Sequence, residues 1–151
     1  MKLKSCLLSA YLLLSVVVAL RAAPPVKRVS ISGYDTMKFS VTQIEASPGQ
    51  PIIVELKNDG TQPKEAMGHN WILLKAGVDP IAYANAAATA KAENYQPKAQ
   101  AGKVLASIPL LGPKEKAVTS FTAPSVPGTY HFLCSYPGHT QAGMAGTLVV
   151  K

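Results

Sequence analysis

The sequence predicts an all-β sandwich of seven or eight short strands that carries one short helical flap. Three observations predict it. Apolar and polar residues alternate over short stretches, and turn residues (11 Gly and 12 Pro among 151 residues) separate those stretches at regular intervals. One Ala-rich segment breaks the strand pattern. The length suits a single domain with a real core, and 48% hydrophobic with 15% charged residues excludes a disordered or coiled-coil chain.

The elements follow in order. Val29 and Ile31 alternate with Ser30 and Ser32 before Gly33, and Met37, Phe39 and Val41 alternate again after a turn at residues 34–36. Both read as half-buried strands. Pro48 and Gly49 make a turn, and the β-branched run 51–56 is closed by Asn58, Asp59 and Gly60. Residues 69–74 are a further apolar run with the only tryptophan, Trp71. Asp79 then caps, and Pro80 starts, an Ala-rich helix over residues 81–92. Residues 95–102 read as loop. Strands resume at 104–108, 116–122, 129–134 and 147–151, with a turn at 125–128.

The N-terminus reads as a secretory signal peptide over residues 1–22. Lys2 and Lys4 precede an apolar run from Cys6 to Leu20, and small residues follow at Ala22 and Ala23. The run is shorter than the ~20 residues a membrane-spanning helix needs. An uncleaved anchor is the competing reading. Cleavage after Ala22 leaves a domain of residues 23–151 that is exported to the periplasm. Removing Lys2, Lys4 and Arg21 lowers the 15 basic residues to 12 against 8 acidic, a net charge of +4. The basic residues are scattered and not interleaved with aromatics, so no nucleic-acid footprint is present. Of the two cysteines, Cys6 leaves with the signal peptide. Cys134 then has no partner for an internal disulfide, and three explanations compete: an inert buried thiol, an intermolecular bridge, or a metal ligand.

The neighbours of Cys134 favour the third. Cys134, His139 and Met144 occupy one loop between two predicted strands, and Met67, Gly68, His69, Asn70 and Trp71 place a second imidazole at the start of another. Thiolate and thioether are soft donors that suit copper(I), and imidazole suits copper(II) as well. Two His, one Cys and a weak axial Met are the donor set of an electron-transfer copper. Structural zinc sites use Cys and His alone, usually with paired cysteines. His131 alternates away from Tyr130 and Phe132 and reads as a plain strand residue. Pro137 stiffens the loop, Gly138 and Gly143 permit tight bends, and a backbone N–H of Asn70 is expected to reach the Cys134 sulfur.

With these motifs in view, the chain resembles the cupredoxins and, within them, the azurins. The residues 67–71, Met-Gly-His-Asn-Trp, are similar to the azurin segment that carries the first His, and Cys-x4-His-x4-Met resembles the azurin ligand loop. The resemblance runs from about residue 26 to residue 151. It includes a helical flap between the fourth and fifth strands and a turn at residues 110–112. It implies a Greek-key sandwich and one type 1 copper held by His69, Cys134, His139 and Met144, with the backbone carbonyl of Gly68 opposite Met144. It also implies a redox protein that is not an enzyme. Its partners would be cytochromes or exported or membrane oxidoreductases that dock near His139, on a flat uncharged patch of Met67, Gly68, Pro137, Gly138, Ala142, Gly143 and Ala145. A periplasmic copper carrier or storage protein is the alternative. With three His in the domain, a second, catalytic copper lacks ligands. Two departures stand out. Azurins usually carry a disulfide, which this domain cannot form, so copper is expected to supply a larger share of stability. Asn58 takes the place where azurins often bury a His.

Overall fold

The computed structural model describes residues 24–151. The expected signal peptide and Cys6 lie outside the described residues. Among those described, nine strands form two mixed sheets. The first holds β1 (Lys27–Tyr34), β2 (Lys38–Phe39), β4 (Pro51–Asn58) and β7 (Lys116–Thr122), in the order β2-β1-β4-β7. The second holds β3 (Gln43–Ala46), β5 (His69–Leu74), β6 (Val104–Leu111), β8 (Gly128–Leu133) and β9 (Ala145–Val150), in the order β3-β9-β8-β5-β6. β1 runs parallel to β4 and β3 parallel to β9, while the other pairs are antiparallel. The chain therefore changes sheet repeatedly, as a Greek-key sandwich requires. No helix among the described residues is long and apolar enough to cross a membrane.

The ninth strand comes from the segment after Tyr34. Met37 is left-handed (φ 55°) and its N–H closes a turn on the Tyr34 carbonyl at 2.9 Å. Pairing with β1 is thus limited to Lys38 and Phe39. The chain then crosses to the other sheet, where Ile44 and Ala46 turn inward from β3. The alternation at residues 37–41 is real but belongs to a strand end and a crossover.

The helix forms where the cap predicts it. Asp79 Oδ1 accepts the N–H of Ile81 at 2.8 Å and of Ala82 at 3.3 Å. It is shorter than expected. A first helix, α1, is a single turn (Lys64–Met67), and α2 spans Pro80–Ala87. After α2 the chain tightens into 3₁₀ turns at Lys91–Glu93 and Lys98–Lys103. The flap sits between β5 and β6, one strand later than expected because of β3. The turn expected at residues 110–112 falls later too. Leu110 and Leu111 complete β6, and Gly112 N–H bonds Glu115 Oε2 at 2.6 Å to make the corner.

β5 explains how the flap positions the site. All six of its residues are buried. Trp71 and Leu73 enter the sandwich core, where Trp71 packs on Phe132 at 5.5 Å between ring centroids. Ile72 and Leu74 point the other way, into a cluster with Tyr83, Ala87 and Leu133 beneath α2. A strand covered on both faces reads as a continuous apolar run, which is why this one does not alternate. It is also a rigid base for the residue at its head, His69.

Candidate metal centre

Side chains from three parts of the chain meet at one end of the sandwich. His69 begins β5, Cys134 follows the last residue of β8, and His139 lies in the loop that returns to β9. All three are buried, and one donor atom from each falls within 4.8 Å of the others. The two Nδ1 atoms are 3.3 Å apart, and Cys134 Sγ is 3.4 Å from His139 Nδ1.

The loop is bonded to itself. Cys134 N–H donates to the Met144 carbonyl at 3.0 Å and Met144 N–H to the His139 carbonyl at 2.9 Å. Thr140 Oγ1 donates to the Cys134 carbonyl at 2.7 Å. Gly138 (φ 82°) and Gly143 (φ 93°) take the left-handed bends that close these short rings. Met144 is fully buried, and a Cβ on Gly33 would fall 3.0 Å from its methyl and 2.9 Å from Cδ2 of the His69 ring. Gly33 thus leaves the space that both occupy. Gly68 is buried as well. Its missing Cβ would meet the Lys64 carbonyl at 2.7 Å and Leu110 Cγ at 2.9 Å.

A polar splint joins the two ligand-bearing segments. Asn70 Oδ1 accepts Ser135 N–H, and Asn70 Nδ2 donates to Ser135 Oγ, both at 2.8 Å. Ser135 Oγ donates in turn to the Tyr95 carbonyl at 2.5 Å. Tyr95 and its predecessor Asn94 are both left-handed (φ 59° and 52°), so the flap spends backbone strain to bring that carbonyl in. Tyr136 packs its ring on His139 at 4.7 Å and on Tyr95 at 5.0 Å, and its hydroxyl donates to the Glu65 carbonyl.

Electrostatics prepare the nitrogens and hold back the sulfur. Burial, with a smaller push from His69, lowers His139 to about 4. Burial also lowers His69, against the opposing pull of the Asp35 carboxylate and the Tyr34 carbonyl. His69 Nε2 is buried without a hydrogen-bond partner among the described residues. Burial pushes the Cys134 thiol up to about 12, opposed by backbone N–H groups of Asn70 and Tyr136 aimed at the sulfur. The Asn70 donor matches expectation and the Tyr136 donor adds a second.

The structure brings His69, Cys134 and His139 together with Met144 buried beside them, while His131 stays exposed on β8. The expected surface patch is smaller than foreseen. Gly68 is buried, and Ala145 packs on the flap cluster. Gly33, Ser135 and Tyr95 were not foreseen. A glycine two residues into a strand's end, on the face toward the first His, was the one available hint.

Two neutral imidazoles and a thiol, buried with their lone pairs converging, are a poor apolar core and a good soft-metal pocket. One thiol without a second cysteine does not suit structural zinc. Fold and site together define a cupredoxin with a type 1 copper centre. The comparisons agree: over residues 26–151 the chain belongs to the copper-binding proteins of the plastocyanin/azurin family. It is 35% identical to azurin of Pseudomonas fluorescens biotype A over 127 residues, covering 82% of this chain and 98% of that one. It is 37% identical to auracyanin-A of Chloroflexus aurantiacus over 119 residues, 78% of this chain and 69% of that one. The dithionite-reduced auracyanin of Roseiflexus castenholzii superposes with a TM-score of 0.71 at 30% identity, over 86% of this chain and 99% of that one.

Proposed function

We propose that residues 23–151 are an exported carrier of single electrons, released from a signal peptide at residues 1–22. His69, Cys134 and His139 would hold its copper, with Met144 and the Gly68 carbonyl as further donors. The observation that carries this reading is the convergence of three buried donor atoms within 4.8 Å. Bound there, copper supplies a one-electron couple. The protein's part is to keep its donors still. β5, packed on both faces, fixes His69, the self-bonded loop fixes Cys134, His139 and Met144, and the Asn70–Ser135 splint fixes the distance between them. Donors that cannot relax keep reorganisation small. The same burial excludes water from the sulfur.

His139 is the electron port. The residue is 2% exposed, and Pro137 and Gly138 beside it reach the surface with little side chain between the ring and a partner. Cytochromes or membrane oxidoreductases would dock there through a small transient interface. A ring buried behind so thin a cover suits cycling better than delivery of the ion. The test is addition of copper(II) to the purified domain. An intense band at about 600 nm, where thiolate-to-copper charge transfer falls in blue sites, is expected, and Cys134→Ser should abolish it. A colourless protein would overturn the reading.

A further inference from the structure

We infer that Lys38 makes the electron port selective for a redox partner that surrounds its own port with carboxylates. The inference rests on the proposed function for the partner being a redox protein. The placement of the cation is a property of the fold.

Lys38 is an exposed residue of β2, yet its Nζ reaches 104 residues along the chain to donate to the Ala142 carbonyl at 2.5 Å. Ala142 N–H bonds the Gly138 carbonyl at 2.9 Å, so the ammonium sits on the turn that encloses His139. Gly143, the next residue, lies against it: a Cβ there would fall 2.7 Å from Lys38 Nζ, which would have to move aside. A charge held this way loses the freedom that usually makes a surface lysine electrostatically vague.

Its surroundings leave that charge uncompensated. Among the described residues Lys38 has no carboxylate partner, whereas Lys64 at the same end faces Glu115 at 3.8 Å. Two acids lie nearby. Asp35 is turned inward, with Oδ2 accepting the Thr61 N–H and hydroxyl and Oδ1 buried. Glu65 lies across Tyr136, on α1. The rest of the port is Met67, Pro137, Gly138, Ala142 and Gly143, none of them charged. A single fixed cation on a side-chain-poor face favours an acidic rim opposite it and repels a basic one.

Two experiments decide it. In the first, the copper-free domain is titrated at low salt with hexacyanocobaltate(III), a redox-inert trianion, and followed by amide ¹H–¹⁵N shifts. Perturbation centred on residue 38 and residues 138–143 is expected, reduced about fivefold in Lys38→Gln and retained in Lys38→Arg. Equal perturbation in Lys38→Gln, or perturbation centred elsewhere, overturns the inference. In the second, the reduced copper protein is oxidised by hexacyanoferrate(III) and by tris(phenanthroline)cobalt(III). Lys38→Gln should lower the anion-to-cation rate ratio about fivefold at low salt, leave the visible spectrum in place, and lose its effect at high salt. An unchanged ratio with an intact spectrum overturns it. If wild type shows no blue band, the copper reading has failed, and the first experiment still judges Lys38.

Discussion

Cys134 waits as a protonated thiol. With its pKa pushed up to about 12 it keeps its proton at pH 7, while His139, lowered to about 4, and His69, also lowered, are already neutral. Metal binding needs the thiolate and free imidazole nitrogen, so copper uptake at pH 7 should release about one proton per site, all from Cys134. An indicator dye in weak buffer measures it, and release near zero or near three would contradict the assignment. The imidazoles also set a pH dependence. A folded pKa below the unfolded value of about 6.5 means that the unfolded chain binds more protons in between. Stability of the copper-free domain is therefore full above about pH 6.5 and falls toward pH 4, by on the order of 2 kcal/mol from His139, with His69 adding in the same direction. Urea unfolding at pH 7.5 and 4.5 should show this in the copper-free form, and more weakly with copper, which keeps the imidazoles deprotonated. At this scale the ligands were legible because their chemistry and spacing are local: Cys134, His139 and Met144 share one loop. Gly33 and Ser135 were not. A missing Cβ or a hydroxyl becomes functional only when another segment, here His69 or Asn70, arrives beside it. Asn58 was legible as a departure, and its role is plain in the fold. Its side chain donates to the Leu111 carbonyl at 3.1 Å and accepts Gly60 N–H at 2.9 Å, a clamp with no titrating group.

Among the elements, the flap and the site are coupled through one hydroxyl. Ser135→Ala would leave Asn70 Nδ2 and the Tyr95 carbonyl without their partner, in a region closed to water. A loss of about 1–3 kcal/mol follows, with a shift of the copper bands because Cys134 is the adjacent residue. Tyr83→Ala is the control. It hollows the cluster beneath α2 and should cost about 3–5 kcal/mol while the bands stay in place, since Tyr83 touches Ile72 and Leu74 and not the donors. Calorimetry and the visible spectrum together separate the two outcomes. Equal spectral effects would mean that the flap acts on the site as a whole and not through Ser135. The strands that alternate cleanly, β1 above all, were readable because one face turns toward the core and the other toward water. β3 hid behind a crossover, α1 is too short to have a period, and the flap's 3₁₀ turns include left-handed Asn94 and Tyr95, a conformation that Asn favours but Tyr does not announce.

For the whole molecule, the question is what holds two sheets together without a covalent bridge. Within the described residues the only cysteine is Cys134, and it belongs to the copper site. The sheets meet through apolar contacts such as Trp71 with Phe121 and Phe39 with Phe132, centred in the layer between them. Copper would add a link of a different kind, between neighbouring strands of the second sheet and not between the two sheets. His69 lies at the head of β5 and Cys134, His139 and Met144 on the connection from β8 to β9, so one ion ties segments that are otherwise far apart in the chain. An ion that binds only the folded form stabilises it by RT ln(1 + [L]/Kd), about 4 kcal/mol when free copper exceeds Kd a thousandfold. For a domain of this size that raises the thermal midpoint by about 10–20 °C. The copper-free form should therefore melt well below the copper form, and Cys134→Ser should gain much less from added copper. Coincident midpoints for the two wild-type forms would mean that the sandwich alone carries the stability and that the donors contribute nothing to holding its open end closed.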